Sequence, residues 1–225
     1  MHILIVSATH FEIKPLLDHL KIDNPVTVMN TAKNRANEHT IDVLITGIGM
    51  VNTAFMMGRY SSDAFDLILN VGVCGAFDRS VKLGSLLQVT EDVLSELGAE
   101  DGEAFLTYDK MNLPGKHHFH SQLNKSFPQI DALSKVKGIT VNTVHGNDTS
   151  IERVKQLYAP DVESMEGAAF FAACDGTGKN YAQLRAISNY VEKRDKSKWQ
   201  MPLAIKNLND FLIEFIETIQ PITNH

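Results

Sequence analysis

Glu12 closes the segment SATHFE, immediately after the apolar run ILIV (3–6). Glu163 and Glu166 lie in VESMEGAAFFAAC (162–174), and Asn189 ends RAISN (185–189), just past another apolar run. A carboxylate in such a place can orient a water and take its proton, or accept hydrogen bonds from paired hydroxyls. An asparagine transfers no proton at ordinary pH; it can only donate and accept hydrogen bonds. Plainer readings stand beside these. Glu12 and Glu163 suit a helix N-terminus through the helix dipole, and Ser188-Asn189 suits a polar turn. Glu166 resists that explanation. The residues after it, Gly167 to Ala173, are small or apolar, so their helix is deeply packed and a nearby unpaired charge is costly.

Side chains this far apart in sequence meet only if the fold brings strand ends together. Runs rich in Val, Ile and Leu at 3–6, 42–46, 66–71, 85–90, 139–144 and 182–188 read as strands. Several are continuously apolar, as in a sheet covered on both faces. Helical periodicity spans 10–20, 50–60, 150–157, 164–175 and 202–219; in the last, Leu203, Leu208, Phe211, Leu212, Phe215 and Ile219 form one face. Residues 95–130 read as a long irregular loop with a short helix. The alternation predicts an α/β domain with a mainly parallel sheet and a site beyond the strands' carboxyl ends. Glu12 then falls in the first turns of one helix, and Glu163 and Glu166 at the start of another. Gly47 and Gly49 in TGIGMVN, with Gly72 and Gly75 in NVGVCGAF, either let backbone approach a ligand or serve as strand-to-helix turns. GIGMVN carries Asn52 where a dinucleotide fingerprint needs its third glycine.

With 225 residues, 44% of them hydrophobic, the chain can bury one sizeable core, and no linker splits it, so a single domain over 1–225 is expected. A net charge of -6 without a basic block argues against nucleic acid. The first residues lack a cationic prelude and a cleavage site, and no apolar run reaches membrane-spanning length; a cytoplasmic protein with no membrane partner is expected. Cys74 and Cys174 predict buried thiols. In KHHFH (116–120), His117 and His118 would diverge on any regular element and no Cys or acidic neighbour completes a set, so neither metal nor cofactor is expected.

Taken in order, Glu12 after strand one, TGIGMVNTA, NVGVCGAF, VESMEGAA and RAISN followed by YVEKRDKSKW resemble the nucleoside phosphorylase/nucleosidase family, in its futalosine hydrolase branch. The resemblance runs over essentially the whole chain. It implies a three-layer α/β/α domain around a mixed sheet curling toward a barrel, self-association, and cleavage between a base and the ribose anomeric carbon. By position, Glu166 is similar to the glutamate that accepts from the ribose 2′- and 3′-hydroxyls, and Met165 to the methionine packing on the sugar. Ser150 and Ile151 in GNDTSI, with Gly75, fall in segments that line the base.

The family's phosphorylases bind an anion with a Gly-Asp-Pro-x-Arg turn after strand one, and with Arg and Ser flanking a Val-Gly pair. Here SATHFE replaces that turn, and Asn70 and Val73 occupy the flanking positions. Phosphate within a few ångströms of Glu12 would cost on the order of several kcal/mol, so water is the expected nucleophile and Glu12 the group that activates it. In nucleosidases for methylthioadenosine and S-adenosylhomocysteine, the alternative activity, an aspartate stands where Asn189 stands. An amide NH₂ serves N7 and the 6-oxo group of hypoxanthine together, whereas a carboxylate would oppose the carbonyl; turned over, the amide could also present N–H and C=O to adenine. Hypoxanthine also leaves more easily as an anion. The resemblance therefore implies futalosine as substrate, with hypoxanthine released on a menaquinone pathway. Asp195 is either a backup acid or part of a solvated charge run, and Trp199 either stacks on the substrate tail or anchors the last helix. Arg59, Arg79 and Arg194 are unranked cations for a carboxylate on that tail.

Overall fold

The computed structural model describes residues 1–22, 30–34, 39–60 and 65–219. In chain order the strands are β1 (His2–Ser7), β2 (Asn30–Asn34), β3 (His39–Ile45), β4 (Leu67–Ala76), β5 (Leu86–Leu94), β6 (Gly98–Asp101), β7 (Ala104–Thr107), β8 (His118–His120), β9 (Ser134–Thr140), β10 (Val162–Ser164) and β11 (Asn180–Tyr190). The helices are α1 (Lys14–His19), α2 (Met50–Tyr60), α3 (Pro128–Asp131), α4 (Asp148–Tyr158), α5 (Gly167–Cys174) and α6 (Met201–Thr218). No helix among the described residues is long and apolar enough to cross a membrane.

Alternation along β1 sets up the layers. Ile3 and Ile5 pack with Leu16 and Leu17 of α1 and Leu208, Leu212 and Phe215 of α6. Leu4 and Val6 face the other way, onto Met57 of α2 and Phe170 and Phe171 of α5. Burial on both faces explains why these strands read as unbroken apolar runs. The sheet runs β10-β9-β5-β11-β4-β1-β3-β2, with β8 added to β5. Its pairing is mixed: β1 is parallel to β3 and β4, and β11 to β4, while β5 is antiparallel to β11. β10 pairs with β9 on one side and with β4 on the other. Strands β4, β11, β5, β9 and β10 therefore close into a circuit, which gives the barrel half of a three-layer α/β/α fold.

Several boundaries differ from the sequence expectation. The strand placed at 139–144 runs earlier, over Ser134–Thr140, and the region 95–130 holds the β6–β7 hairpin and β8 rather than an irregular loop. The helix expected from 164 starts at Gly167, and Glu163 lies on β10 instead of entering it. The helix expected from residue 10 starts at Lys14, which leaves Glu12 in the turn before α1. Both cysteines are free and buried, and burial pushes both thiols up to about 12.

Candidate active site

A cavity of about 460 Å³ opens at the carboxyl ends of β1, β4 and β11. Glu12, Gly75, Glu163, Met165, Glu166, Asn189 and Trp199 all line it, as do Val144, His145 and Gly146.

Glu12 is held from both directions. The Thr9 amide and hydroxyl donate to its Oε2 at 3.1 and 2.8 Å, and the Val73 amide donates to Oε1 at 3.1 Å. The fully buried Asn209 of α6 fixes the turn itself: its amide group donates to the Glu12 carbonyl (2.8 Å) and its oxygen accepts from the Leu16 amide (3.0 Å). Glu12 reaches β4 only because Gly72 has no side chain. A Cβ there would stand 2.8 Å from Glu12 Oε1 and 3.5 Å from Arg185 Nη1.

Arg185 is the buried charge behind the site that sequence reading missed. It is 2% exposed, and one nitrogen donates to Asn70 Oδ1. Its signal was present: an arginine inside the apolar run AQLRAIS is a buried charge, which folded chains keep only where something compensates it. Here the Asn70 side chain and the Leu184 carbonyl accept from its guanidinium, and its charge acts on the carboxyls of Glu166 and Asp92. Burial raises the Glu166 carboxyl above its ordinary value, Arg185 and the Gly49 amide (2.9 Å to Oε1) oppose that rise, and the Glu12 charge adds to it.

Glu166 stands at the N-cap of α5, and a second polar cluster places it. Asp92 of β5 accepts from Thr140 (2.8 Å) and Gln183 (2.9 Å), and the Thr140 hydroxyl oxygen accepts from the Ala168 amide at 2.7 Å. Gly167 lets the helix sit on this cluster, since a Cβ there would lie 2.1 Å from Asp92 Oδ2. Burial pushes Asp92 up to about 6.

Asn189 lies within β11, not in a turn after it. An extra residue between Ile187 and Asn189 puts Asn189 opposite Gly75. Without that bulge it would stand opposite Ala76 with its side chain on the other face. The Tyr190 carbonyl can only accept, so Nδ2 faces it (3.0 Å) and Oδ1 is left to accept from the Ser188 hydroxyl (2.8 Å). One amide N–H remains for a ligand.

Ser150 and Ile151 are not in the cavity. Asn147 caps α4 by accepting from the Thr149 and Ser150 amides, the Ser150 hydroxyl donates to the Asn147 carbonyl, and Ile151 is buried. That wall is built instead by Val144, His145 and Gly146. Of the three arginines proposed for a substrate carboxylate, Arg194 lines the cavity, stacked 5.0 Å over Trp199; Arg79 pairs with Glu192, and Arg59 lies on α2 beside Tyr60. Asp195 accepts from Ser197 and caps a 3₁₀ turn, which serves the loop and not the cavity. His117 stacks on Tyr108 and reaches Asp109 at 3.3 Å while His118 reaches Glu91 at 2.8 Å; the two rings stand 6.2 Å apart rather than diverging, and each has an acidic neighbour that the sequence does not place beside it.

A sequence model of the phosphorylase superfamily matches residues 2–217. The chain belongs to the phosphorylase superfamily. Among curated relatives, a futalosine hydrolase of Thermus thermophilus is 30% identical over 73% of this chain and 76% of its own. Two solved structures of superfamily architecture are those of a Helicobacter pylori futalosine hydrolase (TM-score 0.79, 16% identity, 97% and 98% of the chains covered) and a 5′-methylthioadenosine/S-adenosylhomocysteine nucleosidase of the same organism (TM-score 0.78, 17% identity, 97% and 99% covered). At those identities the structures speak to the fold alone. The superfamily expected from the order of motifs is the one found.

Proposed function

We propose that this protein is a nucleosidase that hydrolyses futalosine, releasing hypoxanthine. One observation carries the reading: Glu12, Glu166 and the neutral amide of Asn189 face a single cavity whose charged lining is Glu12, Glu163, Glu166, Glu192 and one arginine, Arg194. Glu192 pairs with Arg79 and Glu163 with His145, but among the described residues no ion pair takes Glu12 or Glu166, which makes the cavity an unfavourable place for phosphate and a suitable one for water and hydroxyls. Naming of the curated relative as a futalosine hydrolase supports the same substrate.

The steps follow from the geometry. Glu166 spends Oε1 on Gly49 and turns its remaining acceptor capacity to the two ribose hydroxyls, where its charge also offsets the positive charge that develops on the sugar. Met165 packs on the ribose face. Glu12, fixed by Thr9 and Val73, takes a proton from the attacking water. Asn189 donates its free N–H to the purine N7 and 6-oxo edge while the base leaves as an anion.

Self-association is part of the proposal. Phe11, Ile48, Val51 and Phe55 are 57–78% exposed, and two of them, Phe11 and Ile48, line the cavity mouth. Large apolar side chains clustered beside a site favour coverage by another copy. Following base release from futalosine, inosine and methylthioadenosine tests the function. Hypoxanthine from futalosine at the highest rate is expected; adenine from methylthioadenosine at the highest rate would replace this reading with the methylthioadenosine one.

A further inference from the structure

We infer that His145, anchored by Glu163, reads the six-membered ring of the base and selects a 6-oxopurine, so that Asn189 does not set specificity alone. The inference rests on the nucleosidase reading above and assigns a residue to it.

Glu163 on β10 and Asn189 on β11 are both in register with Gly75 of β4, one on each side. A Cβ on Gly75 would lie 3.0 Å from Val191 Cγ2, 3.3 Å from Asn189 Nδ2 and 3.6 Å from Glu163 Cγ. With no side chain of its own, Gly75 leaves room for the Asn189 amide, the Glu163 side chain and the buried Val191 methyl, so Asn189 and Glu163 come close together on one wall of the cavity. His145, held by Glu163, and Asn189 line the same cavity, so a base lying against that wall can meet both.

Glu163 is not itself the contact, because His145 occupies both of its oxygens. The His145 backbone amide donates to Oε1 at 3.0 Å, and the ring Nδ1 lies 2.7 Å from Oε2. Ring and carboxylate both line the cavity, and the pair is nearly closed to solvent, with side-chain exposures of 13% and 4%. A carboxylate only accepts, so the neutral ring carries its proton on Nδ1 and keeps a lone pair on Nε2, at the edge turned away from Glu163. A 6-oxopurine offers an N–H at position 1 to that lone pair. Adenine offers a second lone pair there and is repelled. Donor at Asn189 and acceptor at His145 together match one base class.

Two nucleosides that share a sugar and 5′ tail and differ only as 6-oxo and 6-amino test this through kcat/KM. His145→Ala should lower the 6-oxo value by roughly 10- to 100-fold and the 6-amino value by less than about threefold. Glu163→Gln is the sharper variant. The His145 backbone amide needs an acceptor, so the new carboxamide turns its oxygen there and its NH₂ toward Nδ1. The ring proton then moves to Nε2, which becomes a donor, and preference should move toward the 6-amino nucleoside by about tenfold or more. Equal losses on both substrates, or an unchanged ratio, would overturn the assignment of His145. A wild-type protein that frees base from neither nucleoside overturns the nucleosidase reading instead, so the two failures are told apart.

Discussion

Glu12, Glu163, Glu166 and Asn189 are each committed on one side to the protein, which decides what they can offer on the other. Asn189 shows this most directly. Its oxygen accepts from Ser188 and its NH₂ donates to the Tyr190 carbonyl, so a donor is what remains for the ligand. Asn189→Asp would set a carboxylate oxygen against that carbonyl as well as against the 6-oxo group. Turnover of a 6-oxopurine nucleoside should fall about 10- to 100-fold, measured as kcat/KM; an unchanged value would remove the amide from base recognition. Glu166 must be ionised to accept from two hydroxyls, and its carboxyl titrates above the ordinary glutamate value because it is buried. Activity should therefore fall on the acid side at a higher pH than an ordinary glutamate would give. In a pH–rate profile of wild type, a limb at or below the ordinary value would contradict that.

At the scale of elements, the site depends on contacts that strands and helices make only with each other. α6 carries Asn209, which never meets substrate yet ties the Glu12 turn to α1. Asn209→Ala leaves the Leu16 amide and the Glu12 carbonyl without partners. It should cost about 1–3 kcal/mol of stability and lower kcat more than it raises KM, seen by urea unfolding and steady-state kinetics. A loss of stability with unchanged kcat would show that Glu12 needs no such support. Sequence legibility follows the same division. Long apolar strands and the α6 stripe were readable because periodicity accumulates over many residues. β8 and β10, of three residues each, carry no period at all, so Glu163 was read as part of a helix. Ser150 and Ile151 were misplaced because the Asn147 cap turns that segment's amides into α4 and brings His145 to the wall instead. The glutamates, Met165 and Asn189 were legible as types out of place; their convergence was not, since it depends on strand order and one bulge.

For the whole molecule, the barrel concentrates buried polar groups beside the cavity, and that has a cost that varies with pH. Asp92 is raised from 3.8 to about 6 by burial. Between about pH 4 and 6 the folded chain holds a proton that the unfolded chain has released. This group's contribution to stability therefore falls as pH rises through that window and is level above it, a loss on the order of 2–3 kcal/mol. Asp92→Asn should erase that slope, because its amide can still accept from Thr140 and can meet a turned Gln183, whose Oε1 has no partner. Urea unfolding at pH 4 and pH 7 measures it. A difference between variant and wild type that stays constant with pH would contradict the assignment.

The most direct test of water activation in an acid-lined cavity is the initial rate of hypoxanthine release from futalosine in phosphate-free buffer, for wild type and Glu12→Gln. Wild type should run at full rate without phosphate and leave a sugar with a free anomeric hydroxyl. Glu12→Gln should still bind hypoxanthine while its rate drops by roughly 10²- to 10⁴-fold. A rate that requires phosphate, a sugar 1-phosphate product, or a variant as fast as wild type would contradict it.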